Sequence, residues 1–271
     1  MLALRNDILG LDMGLKIAIG GKGGVGKTTV CAVWARLFAE DGFDVLAIDA
    51  DPNTNLSLAF GLPVERKPQP LIAMTDLIQE RTGAAKNSIG AYFKLNPAVS
   101  DLPEKYWVKA DGVKLLVLGE ITRAGAGCAC PEGAFLKAML THTILQRKEL
   151  VLVDMAAGVE FMGRASIQGI DALVVVVEPG ARSIETANSI ARMGGQLGIR
   201  CAAAVLNKIT DESQVDVIKS QLTVPVLAII NYEPSVQDAD LQNKAVFQAG
   251  GALVGNLREA KDRLKELIKG S

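Results

Sequence analysis

The stretch Gly21-Lys22-Gly23-Gly24-Val25-Gly26-Lys27-Thr28-Thr29 lies between an apolar run, Leu15 to Ile19, and a segment with helical spacing. That context constrains the chain more than any other feature. A strand that turns through closely spaced glycines into a helix makes a concave nest of backbone N–H donors, and the helix offers the positive end of its dipole to the same point. A phosphate group fits such a nest. Lys27 is placed to reach the β- and γ-phosphates of a nucleotide, the Thr28 hydroxyl to bind Mg2+, and Thr29 to donate to the α-phosphate. A glycine-rich turn can also bind nothing, but here the full spacing sits in the strand-loop-helix setting that the chemistry requires. Lys22 adds a second cation near the start of the loop, favourable beside a polyphosphate and equally compatible with a solvated loop charge.

Downstream, Val30, Val33, Trp34 and Leu37 recur at helical intervals, which predicts a helix ending near Asp41-Gly42, with Cys31 a small buried residue on it. Phe43 to Asp49 reads as an apolar strand. A strand after a strand-loop-helix unit implies a right-handed parallel crossover, and ligands of such sheets bind at the carboxyl ends of the strands. Asp49 and Asp51 fall there. Alternating carboxylates at a strand end can hold Mg2+ through water or orient an attacking water, although Asp, Asn and Pro also make ordinary turns. Further strands are expected at Lys114–Gly119, Leu150–Asp154, Ala172–Val177, Cys201–Leu206 and Val224–Ile230, with helices at Leu71–Arg81, Ala134–Leu145 and Arg182–Leu197. The fold class is therefore α/β, a mainly parallel central sheet with helices on both faces.

With 271 residues, 49% of them hydrophobic, the chain can bury a substantial core, and no linker divides it. Residues 1–14 read as an N-terminal extension and 15–271 as a single domain. The proline-rich stretch 61–112 reads as an insertion on the sheet that serves partner or dimer contacts, its Tyr106-Trp107 pair either a recognition surface or packed under a loop. A net charge of -1 gives no global electrostatic case for nucleic acid or an anionic membrane. The apolar run Ala172–Val177 is far shorter than the roughly 20 residues of a membrane helix, and the first twelve residues lack a signal-peptide layout, so a cytoplasmic setting is expected. The C-terminal segment, with Leu253, Leu257, Leu264 and Ile268 among mixed charges, suits a helix packed on the sheet better than a membrane anchor.

Gly125-Ala126-Gly127-Cys128-Ala129-Cys130-Pro131-Glu132 is the second stretch that carries chemistry. Two cysteines one residue apart make a strained disulfide. Two thiolates can bind one soft metal ion, yet a closed site needs four ligands. Cys31 and Cys201 are isolated in sequence, and the single histidine, His142, reads as a helix residue outside the site. A two-fold dimer supplies the missing half by bringing Cys128 and Cys130 of each subunit to the axis. A redox dithiol, or two small residues with no chemical role, remain open on spacing alone.

With Lys22 in it, GKGGVGKTT resembles the deviant phosphate loop of the MinD/ParA/nitrogenase-iron-protein class of ATPases. Joined to the CxC-Pro-Glu stretch and the apolar helix after it, the chain from Leu15 onward resembles the CooC/AcsF family, the nickel-insertion ATPases of carbon monoxide dehydrogenase and acetyl-CoA synthase. The resemblance implies an ATP hydrolase that forms a homodimer on nucleotide, with Lys22 reaching the partner's ATP. It assigns water activation to Asp51, Mg2+ to Thr28, Asp49 and Asp154 (the carboxylates through water), a second switch to Met155–Glu160 with the Gly158 amide near the γ-phosphate, and adenine recognition to Asn207. It implies Ni2+ at an intersubunit Cys128/Cys130 site and a nickel enzyme as client, while thiolate chemistry also accepts Zn2+. The sequence departs from the family pattern at Ala156, Phe161 and Asn231. Two other functions fit parts of the pattern: a nucleotide-dependent iron-sulfur scaffold or electron carrier, and a partitioning or positioning ATPase, which has no use for the cysteine pair.

Overall fold

The computed structural model describes residues 14–51, 53–84, 94–119, 131–141, 148–157 and 169–270. Cys128, Cys130, His142, Gly158 and Phe161 lie outside the described residues. Among those described, eight strands form one sheet: β1 (Leu15–Gly21), β2 (Asp44–Ala50), β3 (Val108–Ala110), β4 (Val113–Val117), β5 (Glu149–Met155), β6 (Ala172–Val177), β7 (Cys201–Ile209) and β8 (Val226–Asn231), in the order β3-β4-β2-β5-β1-β6-β7-β8. All neighbours run parallel except β3, which pairs antiparallel with β4 as an edge. The expected α/β class is what the chain adopts.

Helices cover both faces, which is why the central strands read as nearly continuous apolar runs. Side chains alternate across the pleat. Ile17, Ile19, Val174 and Val176 point into one core with α1 (Lys27–Glu40) and α9 (Gly251–Gly270), whereas Ala18, Leu173, Val175 and Val177 join the other. The second core is covered by α3 (Thr75–Thr82), α4 (Leu102–Tyr106), α5 (Pro131–Thr141), α6 (Ala181–Gln196) and α7 (Ser213–Gln221). Short α2 (Leu56–Ala59) and α8 (Pro234–Leu241) flank the carboxyl ends of the strands.

Several boundaries differ from the sequence reading, each for a local reason. The helix expected at Leu71–Arg81 is a 3-10 turn, Leu71–Ala73, followed by α3, because Pro70 opens a tight turn and Met74 leaves helical geometry between them. Residues 61–112 do more than sit on the sheet: Leu71, Ile78, Val99 and Leu102 are buried in the second core, and the stretch supplies edge strand β3. Tyr106 and Trp107 pack against that core, with the Lys114 ammonium 5.6 Å from the Trp107 ring centre. β7 continues past Leu206 to Ile209 through an irregular register, so Asn207 and Lys208 lie within the strand rather than after it. The packed C-terminal helix holds: α9 buries Leu253, Leu257, Ala260 and Leu264, and Trp34 Nε1 donates 2.9 Å to the Leu257 carbonyl.

Candidate functional site

The central strand β1 lies between β5 and β6, where the chain order of the sheet reverses, and its carboxyl end runs straight into the glycine loop. Such a switch point is where open parallel sheets bind ligands. Gly21 leaves the strand at φ +147°, and a Cβ there would come within 2.5 Å of the Val176 carbonyl. Gly26, at φ +101°, caps α1 in the left-handed region, and a Cβ on it would stand 2.3 Å from the Asn207 amide nitrogen. These two positions need glycine for different reasons, one for close strand approach and one for the bracing of the loop by β7.

Around the loop lies a cleft of about 590 Å³, within the usual range of small-molecule sites, lined by Gly23, Gly24, Gly26, Lys27, Thr28, Thr29, Asp51 and Asn207 and extending to Tyr232 and Gln237. Lys27 is buried and its ammonium sits 3.3 Å from the Lys22 carbonyl, folded along the loop. The Thr28 hydroxyl donates to Asp154 Oδ2 at 2.7 Å. Asp49 and Asp154 are direct register partners on β2 and β5, so two carboxylates stand side by side at zero exposure.

The electrostatics of this pair are unfavourable as they stand. Burial pushes the Asp154 carboxyl up to about 7, the Thr28 hydrogen bond opposing it and the charge of Asp49 adding to it. Burial likewise pushes Asp49 up to about 6, although Oδ2 accepts from the Leu56 N–H at 2.9 Å and Oδ1 from the Asp51 N–H at 3.1 Å. The Asp154 Oδ1 atom is buried and has no hydrogen-bond partner. An orphaned carboxylate oxygen beside a threonine hydroxyl and a second carboxylate is a hard oxygen set, and Mg2+ fits it. Asp51 lines the cleft half-buried, its Oδ1 accepting from the Asn53 N–H at 2.9 Å. Cys31 is fully buried on α1, where burial holds its thiol far above the ordinary value.

Asn207 donates its amide to the Val25 carbonyl at 2.8 Å. An Asn amide has a second N–H and a carbonyl oxygen, so bracing the loop leaves it able to meet a base edge. Lys22, expected to serve a second subunit, contacts its own: its ammonium lies 3.1 Å from Glu178 Oε1. The sequence reading assigned no role to Glu178, Tyr232 or Gln237. Glu178 was the findable one, since it follows β6 directly, and β6 is the neighbour of the loop-bearing strand.

The nest, the lysine within it, and a threonine hydroxyl facing paired strand-end carboxylates define a P-loop nucleoside triphosphatase. Residues 16–246 match the CobQ/CobB/MinD/ParA nucleotide binding domain, and the chain belongs to that family of P-loop ATPases. It is 43% identical over 83% of its length to the carbon monoxide dehydrogenase accessory protein CooC of Rhodospirillum rubrum, covering 87% of that protein. It is 41% identical over 86% of its length to an uncharacterized ATP-binding protein of Methanocaldococcus jannaschii, covering 91% of it. Among solved structures, the MinD cell division protein of Aquifex aeolicus superposes with a TM-score of 0.66 at 23% identity, over 92% of this chain and 96% of that one, which shows the shared fold.

Proposed function

We propose that this ATPase is an accessory protein of carbon monoxide dehydrogenase or acetyl-CoA synthase, and that it binds and hydrolyses ATP as a homodimer to insert nickel into the client's metal cluster. The observation that carries the reading is the 43% identity to CooC along most of both chains. The CxC pair, Cys128 and Cys130, adds the chemistry that a metal carrier needs.

Residue roles follow from the cleft. The N–H groups of residues 21–29 and the Lys27 ammonium hold the phosphates, Thr29 donates to the α-phosphate, and Asn207 meets the adenine edge. Asp51, half-buried at the mouth, accepts a hydrogen bond from the attacking water and aligns it with the γ-phosphorus. Thr28, with Asp154 and Asp49 through water, would hold Mg2+, which when bound offsets charge on the phosphate oxygens. Gly158 donates its amide to the γ-phosphate, and Lys22 reaches the nucleotide of the partner. ATP in both loops draws the subunits together, so that Cys128 and Cys130 from each gather four thiolates around one ion. Hydrolysis reopens the interface and releases Ni2+, the cargo, to the client; Zn2+ competes for the same thiolates.

The test is activation of nickel-free client enzyme by the natural chain, Ni2+ and ATP. Activation that needs hydrolysable ATP and disappears with Cys128→Ser plus Cys130→Ser is the expected result. Activation by the double variant at the natural rate contradicts the metal-carrier reading.

A further inference from the structure

Three lysines face the phosphate loop, and one carboxylate engages two of them. Glu178 accepts from Lys22 at 3.1 Å through Oε1 and from Lys208 at 3.3 Å through Oε2. Lys208 also donates to the Gly24 carbonyl at 2.5 Å. The third, Lys27, is buried along the loop itself. Lys22 is thereby tied to β6 and, through Glu178, to the β7 residue that grips its own loop.

Both anchors of this bridge are rigid. The Glu178 N–H donates 3.1 Å to the Ser183 hydroxyl in the first turn of α6, Ser183 is buried, and Pro179 fixes the next backbone angle. Lys208 adopts φ +58°, a left-handed conformation uncommon for lysine, inside the irregular stretch of β7. Conformations of this kind persist where the surroundings over-determine them, and at functional sites the strain re-aims a side chain. Here consecutive residues Asn207 and Lys208 both reach loop carbonyls, those of Val25 and Gly24.

The Lys22 end of the bridge is, by contrast, easy to release: its side chain is 42% exposed, against 21% for Glu178, whereas Lys208, 41% exposed, keeps its second bond to the Gly24 carbonyl. Half-exposed pairs are weak, so a nucleotide phosphate of higher charge can take Lys22 from the carboxylate. A contact that exists in one state and is surrendered in another shifts the balance between them.

We propose that Glu178 is a positioning residue whose carboxylate holds Lys22 on its own subunit, with Lys208 as the fixed counter-charge, so that closure of two copies requires the partner's nucleotide to draw Lys22 away. The role in closure rests on the ATP-driven dimer proposed above. The hold on Lys22 does not.

The experiment uses the full chain and two variants, Glu178→Gln and, as a control that removes the same charge elsewhere on the cleft rim, Glu233→Gln. Amine acylation read by mass spectrometry reports the freedom of Lys22 without nucleotide, with exposed Lys109 as internal standard. Glu178→Gln should raise Lys22 labelling about threefold, the scale of losing one partly exposed pair; Glu233→Gln should not. Light scattering against a non-hydrolysable ATP analogue should then place the association midpoint of Glu178→Gln about threefold below that of the natural chain. Unchanged labelling in Glu178→Gln, or an equal rise in both variants, overturns the hold. Raised labelling with an unshifted midpoint overturns the role in closure. Raised labelling in chains that never associate supports the hold and contradicts the dimer.

Discussion

Helix α1 joins two charged clusters at opposite ends of the sheet, and their carboxylates are treated in opposite ways. At its start, Asp154 and Asp49 are buried side by side, with one oxygen of Asp154 unpartnered and both carboxyls pushed up by burial. At its end, Asp41 accepts from the ammonium groups of Lys261 and, at 2.8 Å, Lys265, which are themselves buried on α9 over the Phe38 ring. Burial pushes the Asp41 carboxyl up as well, but the hydrogen bonds and charges of the two lysines outweigh it and hold it below its ordinary value. The same residue type thus stores charge repulsion at one end and fastens the terminal helix at the other. Unpaired buried charge marks where an external cation belongs, and paired buried charge marks where the fold is closed.

The sharpest way to separate the two ends of α1 is to remove one carboxylate at each. Asp51→Asn at the site should leave the fold and nucleotide binding in place and lower ATP turnover by about 100-fold or more, the scale of a lost water-orienting or basic group. Turnover within a few-fold of the natural chain would remove Asp51 from the reaction. Asp41→Ala should leave turnover per folded molecule unchanged but lower stability by about 2 kcal/mol in denaturant unfolding, because two buried ammonium groups lose their carboxylate, which is itself partly open to solvent.

A smaller effect of opposite sign is expected from Asp154→Asn. Measured without metal or nucleotide, the variant should be more stable than the natural chain by about 1–2 kcal/mol, since a repelled buried carboxylate is gone. The sign follows from linkage. The folded chain binds the Asp154 proton more tightly than the unfolded one, so its ionisation costs stability as pH rises from 3.8 to about 7. The gain should therefore be full above about pH 7 and fade below it. A loss of stability at high pH would show that the pair is not strained.

The smallest change with pH near neutrality is the mirror image at the other cluster. Asp41 has a folded-state value below its ordinary 3.8, so its contribution is present above that pH and is lost as pH falls through the folded value. Stability of the natural chain and of Asp41→Asn should converge only in strong acid. Convergence near neutrality would mean that the lysine contacts do not stabilise the folded chain.

Much of the fold was legible because it rests on repeating patterns. The glycine loop between an apolar run and a helical stripe located β1 and α1, and Ala172–Val177 was read with the bounds that β6 has. The strand-end acids Asp49 and Asp154 came with the strands that carry them. What sequence did not disclose depends on backbone irregularity or on partners distant along the chain. The bulge that keeps Asn207 and Lys208 inside β7 has no periodic signature, and the left-handed Lys208 is not a residue that announces such a turn. Glu178 and Lys22 are 156 positions apart and meet only because β6 lies against β1. Lys261 and Lys265 fall among the mixed charges of the C-terminal segment, and only the packing of α9 on α1 shows them buried against Asp41.

The central claim is that nucleotide and metal meet through one dimer interface. The most direct test is metal content and particle mass of the natural chain with and without a non-hydrolysable ATP analogue, beside Cys128→Ser plus Cys130→Ser. The account predicts one Ni2+ or Zn2+ per dimer in the natural chain, lost in the double variant while nucleotide binding persists. Equal metal content in the two chains would contradict it and leave an ATPase whose cysteine pair has no part in its work.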